Sequence, residues 1–244
     1  MLKLHKIKLV VFDMAGTTIQ DKKEVETCFA QACKQTNLDV SDERILALQG
    51  YSKIQVFKLL WGERLGDSHK DLKEKSNLSY KIFTEILEKH YHENPILPTD
   101  GCLDIFAFLR ENQTKIALTT GFYRKVSNII LEKIGWLDGL DKNHFNASGK
   151  SIIDLSITSD EVEKGRPEPL MIQKAMKILN IKDTQEVINI GDTPSDLQSG
   201  VRAGCHLSLG LTNGTHSLEQ LKIYRNHGLL SSLNELQPII KNLL

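Results

Sequence analysis

Apolar residues follow two rhythms along this chain, and the change from one to the other divides it. Residues 7–12 are a short apolar, β-branched run, the pattern of a strand buried on both faces. The run ends in Asp13-Met14-Ala15-Gly16-Thr17-Thr18, small residues suited to a tight loop at a strand's carboxyl end. From about residue 22 to residue 91 only helical periodicity remains, in segments 25–33, 45–48, 54–61 and 78–90. Asn94-Pro95-Ile96-Leu97-Pro98 closes this stretch as a linker.

Strand–helix alternation then resumes. The pattern predicts a helix over 102–111, a strand over 115–118 and a helix over 123–134. A strand around 151–159 and a helix over 168–179 follow, then a strand over 187–190, a helix over 194–203 and a strand over 206–209. Such alternation predicts an α/β fold with a parallel, Rossmann-like sheet, which gathers ligands at the carboxyl ends of its strands. The all-helical stretch is then an insertion after the first strand, lying over that edge as a cap. The expected division is a core of residues 1–19 and 95–244 and a helical cap of residues 20–94.

Bulk properties narrow the field. At 244 residues the chain can form a core plus a small second module, and 40% hydrophobic residues suit a globular protein. Lys plus Arg and Asp plus Glu number 31 each, so no global charge steers it to nucleic acid or an anionic membrane. Any anion must be held locally. Cys28, Cys33, Cys102 and Cys205 lack metal-ligand or redox spacing and read as reduced thiols; Cys28 and Cys33, five apart, are not expected to share a helix face. The positively charged amino terminus has no apolar segment long enough for a signal or a span, and a cytoplasmic location is expected.

Four segments fall at or just after predicted strand ends: Asp13 to Thr18, Leu118-Thr119-Thr120-Gly121-Phe122, Lys164-Gly165-Arg166-Pro167-Glu168-Pro169, and Asn189-Ile190-Gly191-Asp192-Thr193-Pro194-Ser195-Asp196. Singly, each has an ordinary explanation. An Asp after a strand is commonly a turn residue, Arg166-Pro167 a solvated charge before a helix-opening proline, and Asp192 and Asp196 a helix cap and a first-turn acid. Together they supply what phosphoryl transfer needs. Carboxylates hold a hard cation such as magnesium. A threonine hydroxyl, helix-terminal amides and a guanidinium hold phosphoryl oxygens, and a further carboxylate can act as nucleophile.

In this order the four segments resemble the motifs of the haloacid dehalogenase superfamily, and the insertion resembles its type 1 cap. The wording Asp-Met-Ala-Gly-Thr-Thr, Thr-Thr-Gly-Phe and Gly-Arg-Pro-x-Pro is similar to the phosphonatase-like branch, the phosphonoacetaldehyde hydrolases and their relatives. The resemblance implies a hydrolase with an aspartyl-phosphate on Asp13. It implies Mg2+ held by Asp13, the Ala15 carbonyl and Asp192, with Asp196 nearby, and a phosphoryl group held by Thr120, Gly121 and Arg166. The expected substrate is a small phosphorylated or phosphonate compound.

Typical phosphatases of this superfamily carry an acid/base aspartate two residues after the nucleophile. Ala15 stands there and can neither protonate a leaving group nor activate water. Phosphonatases instead use a cap lysine that forms a Schiff base with the substrate carbonyl. Gly50-Tyr51-Ser52-Lys53 offers such a lysine, with two readings open: Schiff-base nucleophile, or an anion-facing or solvated charge. The chain departs from the phosphonatase pattern at Gln49 (methionine there), Val56 (histidine), Phe122 (tyrosine) and Asp21-Lys22-Lys23 (a Gly-Cys pair). The alternatives are a phosphatase for activated leaving groups, such as acyl phosphates, and a catalytically weak binding or regulatory relative.

Overall fold

The structure, a computed structural model, describes residues 6–243; the predicted core's first five residues and Leu244 lie outside them. Strand β1 (Leu9–Phe12) leads into four consecutive helices, α1 (Glu24–Gln35), α2 (Asp42–Ala47), α3 (Lys53–Leu65) and α4 (Leu72–Glu93). The remainder alternates: α5 (Cys102–Glu111), β2 (Lys115–Thr120), α6 (Arg124–Lys133), β3 (Leu155–Thr158), α7 (Leu170–Ile178), β4 (Val187–Gly191), α8 (Pro194–Ala203) and β5 (Leu207–Leu211). It closes with the short helix α9 (Leu218–Leu221), β6 (Gly228–Leu230) and α10 (Leu236–Lys241).

All six strands are parallel, in the order β3-β2-β1-β4-β5-β6. The pleat sends alternate side chains to opposite faces. Val10, Phe12, Ile116, Leu118, Ile188 and Ile190 join one core with α5, α6 and the inserted helices. Leu9, Val11, Ala117, Leu155 and Val187 join another with α7 and α8. Because both faces are covered, β1 reads as an unbroken apolar run. The fold is therefore α/β, with a parallel Rossmann-like sheet and a helical insertion.

The inserted helices meet around an aromatic group that is continuous with the sheet's core. Phe29 of α1 stacks on Phe57 of α3 at 4.4 Å, and Phe83 of α4 meets both edge-on at 5.8 and 6.0 Å. Cys28 and Cys33 correct the expectation of separate faces: both are buried, on the two margins of the stripe formed by Val25, Phe29 and Ala32. The 151–159 strand is also shorter than predicted. The Asp154 carboxylate accepts hydrogen bonds from Ile116 N and Lys115 Nζ, both at 2.9 Å, and regular pairing starts only at Leu155.

Candidate active site

Register assembles the site. Phe12 pairs with Leu118 on one side and Ile190 on the other, so Asp13, Thr119 and Gly191 end their strands at one level. Beyond β1 the chain turns back tightly: Met14 O accepts from Thr18 N and Ile19 N, both at 2.9 Å. The turn depends on Gly16, whose φ is +82° and whose missing Cβ would lie 2.3 Å from Asp192 Oδ2. After β4, Thr193 caps α8 in a reciprocal box with Asp196, which turns the Asp196 side chain inward.

Asp13, Asp192 and Asp196 converge, and one oxygen from each can be chosen so that all lie within 4.8 Å of one another. Arg166 Nη1 is 2.5 Å from Asp13 Oδ1 and 2.7 Å from Asp196 Oδ1, and its Nη2 donates to Thr119 O at 2.8 Å and Thr119 Oγ1 at 2.7 Å. Thr215 N and Oγ1 both donate to Asp192 Oδ2 at 2.7 Å, and Thr17 Oγ1 donates to Oδ1 at 3.2 Å. All four charged groups are buried. Three carboxylates and one guanidinium leave two negative charges uncompensated in a buried site, which is costly. Burial, opposed by Arg166 and reinforced by Asp196 and Asp192, pushes Asp13 up to about 8. Burial and Asp196 push Asp192 up to about 6. A hard divalent cation matches both the missing charge and the all-oxygen donor set.

Above the carboxylates lies a cavity lined by Asp13, Ala15, Asp21, Gln49, Lys53 and Thr120, among others. Thr120 Oγ1 accepts from Phe122 N at 3.1 Å, and Gly121 and Phe122 complete that wall. Lys53 is buried, so it does not sit on a solvated face. Its Nζ donates to Gln49 Oε1 at 3.2 Å and Leu48 O at 3.4 Å. Burial lowers the ammonium to about 8, against the opposing charges of Asp21, Glu26 and Asp13. Gln49 Nε2 is buried without a hydrogen-bond partner among the described residues. Lys53 fixes the orientation of that amide, since a flip would set two donors against each other.

The 49–51 loop forms one wall of the cavity and packs directly against the core. A Cβ on Gly50 (φ +77°) would lie 2.2 Å from Ser195 Oγ and 2.5 Å from Thr193 Oγ1, and one on Gly121 would lie 2.6 Å from Gly50 O. The cavity is half open to solvent, about 30 Å³ in volume, and bounded on one side by this loop. Gly50→Ala should prevent the loop from seating against Thr193 and Ser195 and lower kcat/KM by about 10²-fold while the sheet still folds. Unchanged kcat/KM would show that seating is not required.

The structure thus brings together Asp13, Ala15, Lys53, Thr120 and Gly121 around the cavity, and sets Arg166, Asp192 and Asp196 beside or beneath Asp13. Sequence reasoning missed Asp21 and Thr215. Thr215 had a usable signal, since Thr212-Asn213-Gly214-Thr215 is a further run of small polar residues after a strand.

Residues 10–209 match the family model of haloacid dehalogenase-like hydrolases. The chain belongs to that family, and is a hydrolase by that membership. It is 30% identical over 218 residues to a bifunctional phosphonoacetaldehyde hydrolase/aminoethylphosphonate transaminase of Clostridioides difficile; the match covers 82% of this chain but 31% of that protein. It is 27% identical to a phosphonoacetaldehyde hydrolase of Bacillus cereus, covering 98% of this chain and 97% of the relative. A phosphoglycolate phosphatase of Aquifex aeolicus is 26% identical, over 84% and 85% of the two chains. Among solved structures, a hydrolase from Pseudomonas syringae superposes with a TM-score of 0.78 at 22% identity, over 95% of this chain and 99% of that one. A phosphonoacetaldehyde hydrolase-like protein from Oleispira antarctica gives 0.77 at 18%, over 97% and 92%. Among the described residues, no helix is long and apolar enough to cross a membrane.

Proposed function

We propose that this protein is a magnesium-dependent, phosphonatase-like hydrolase that transfers the phosphoryl group of a small organophosphorus compound to Asp13 and then to water. The observation that carries this reading is Lys53, buried in the same cavity as Asp13, with alanine at position 15. A lysine is a nucleophile only when neutral, and burial moves Lys53 in that direction. It is placed to attack a substrate carbonyl, and the free Gln49 Nε2 offers that oxygen a donor. Asp13 attacks phosphorus, while the Thr120 hydroxyl and the amides at Gly121 hold the phosphoryl oxygens. Arg166, within ion-pair distance of Asp13, supports the same charge.

Asp13, Asp192 and the Ala15 carbonyl would hold the magnesium ion, with Asp196 beside it. When bound, the ion neutralises the carboxylates and the charge on phosphoryl oxygens. The reading takes residues 1–19 and 95–244 as the core and 20–94 as the cap. The free, buried cysteines suit the reducing cytoplasm expected for the chain.

The phosphatase reading is kept by Val56 and Phe122, apolar where phosphonatases carry histidine and tyrosine, and by the phosphoglycolate phosphatase relative. The test incubates the protein with phosphonoacetaldehyde and borohydride and maps reduced adducts by mass spectrometry, beside a panel of acetyl phosphate and sugar phosphates. An adduct on Lys53, with magnesium-dependent phosphate release that Lys53→Arg loses, is expected. No adduct together with full turnover in Lys53→Arg would give the site to the phosphatase reading.

A further inference from the structure

Ala15 leaves the site without a carboxyl in the position that usually handles protons, yet another carboxyl enters the same cavity from a different part of the chain. Gly16 N donates to Ile19 O at 2.8 Å and Ala15 forms a bridge with Ile19, so the backbone doubles back and brings Asp21 to the wall shared with Asp13, Ala15, Lys53 and Thr120. Glu24 is the neighbour of Asp21 at the start of α1, where Glu24 N donates to Asp21 Oδ1 at 2.8 Å. Glu24 lines the neighbouring outer groove with Lys22 and His90, so the two adjacent acids run from the cavity to that groove. Burial, reinforced by the Glu24 charge, pushes the Asp21 carboxyl up to about 8, while Glu24 is held below its ordinary value.

We propose that Asp21 is the general acid and base of this site, filling the role that alanine at position 15 cannot; the proposal rests on the aspartyl-phosphate reading above. In the first half-reaction Asp13 forms a bond to phosphorus as the bond to the leaving atom breaks, and the Asp21 carboxyl gives that atom its proton. In the second, the Asp21 carboxylate takes a proton from a water whose oxygen bonds to phosphorus while the phosphorus–oxygen bond to Asp13 breaks. Both carboxyls return to their starting states and one water is consumed. The competing view makes Asp21 a helix cap, because Glu24 N donates to its Oδ1 at 2.8 Å at the start of α1. A cap needs only an ionised carboxylate at the surface, and does not explain the place on the cavity wall. The charged and titratable groups acting with Asp21 are Glu24 and Cys28 from α1, Lys53 from α3, Tyr91 from α4 and Asp192 after β4.

Acetyl phosphate separates the two half-reactions, since acetate leaves without help from an acid. The experiment phosphorylates the full chain with acetyl phosphate and magnesium, removes the donor, and follows decay of the phosphoenzyme. In Asp21→Asn the phosphoenzyme forms but lives about 10²-fold longer or more. Wild-type decay quickens as rising pH frees the Asp21 carboxylate, and the variant loses that dependence. Glu24→Gln removes a charge that favours the protonated form, so the midpoint of the profile moves to lower pH. Equal lifetimes in wild type and Asp21→Asn would overturn the proposal and leave the Asp13 reading standing. Failure of the variant alone to form phosphoenzyme would make Asp21 structural and also overturn it. No phosphoenzyme in the wild type would remove the Asp13 reading, and Asp21's role with it.

Discussion

Asp13→Asn is expected to lower turnover by at least about 10⁴-fold while the protein still folds. Asparagine keeps the shape of the side chain, but its neutral amide cannot attack phosphorus. The fold tolerates the change because Asp13 N still donates to Ile190 O at 3.0 Å, and Arg166 keeps Asp196 at 2.7 Å and both Thr119 oxygens. Removing one of three crowded carboxylates also relieves the repulsion that helps push Asp13 upward. Steady-state rates beside a denaturant melt separate the two effects. Wild-type turnover in a folded variant would exclude Asp13 as nucleophile.

The second large effect falls on Asp192→Asn, which should abolish stabilisation by magnesium and reduce turnover by about 10³-fold, the several kcal/mol a bound cation contributes. The Asn oxygen can still accept from Thr215 N and Oγ1, and its amide can donate to Thr17 Oγ1, so the variant folds. Its lost charge leaves one negative charge in excess instead of two. In the wild type without metal, the folded-state values of Asp13 (about 8) and Asp192 (about 6) lie above the ordinary 3.8. The folded state therefore binds more protons than the unfolded one, and stability falls as pH rises from about 4 toward 8. Magnesium should erase that decline and raise Tm, by about 2.7 kcal/mol of stability at a hundredfold excess over Kd. Equal magnesium responses in wild type and Asp192→Asn would remove Asp192 from the metal site.

Much of this was legible because both sides of the argument are local. Strands buried on both faces must be apolar throughout, so β1, β2 and β4 stand out, and Thr193-Pro194 announces the start of α8 at the residue observed. The three-residue edge strand β6 and the helices α9 and α10 were missed: Gly228-Leu229-Leu230 is too short to show a period, and α9 spans four residues. The strand-end rule found Asp13, Thr120 and Asp192 because register alone brings strand ends together. Asp21 lies on no strand end. Only the 14–19 turn brings it to the cavity, so its spacing in sequence carried no signal. Lys53 was placed in the cap by its distance from Gly50, but its burial depends on Phe29, whose ring centroid is 5.9 Å from Nζ, a contact between helices that spacing does not encode.

The account stands on a covalent bond between Asp13 and phosphorus. That bond can be caught by mixing the protein with acetyl phosphate and magnesium, quenching in acid, reducing with borohydride and mapping position 13 by mass spectrometry. An acyl phosphate is reduced to the alcohol, so homoserine is expected at position 13 in the wild type, and none in Asp13→Asn or without acetyl phosphate. Phosphate release at full rate with position 13 still aspartate, or with the reduced residue elsewhere, would contradict the account.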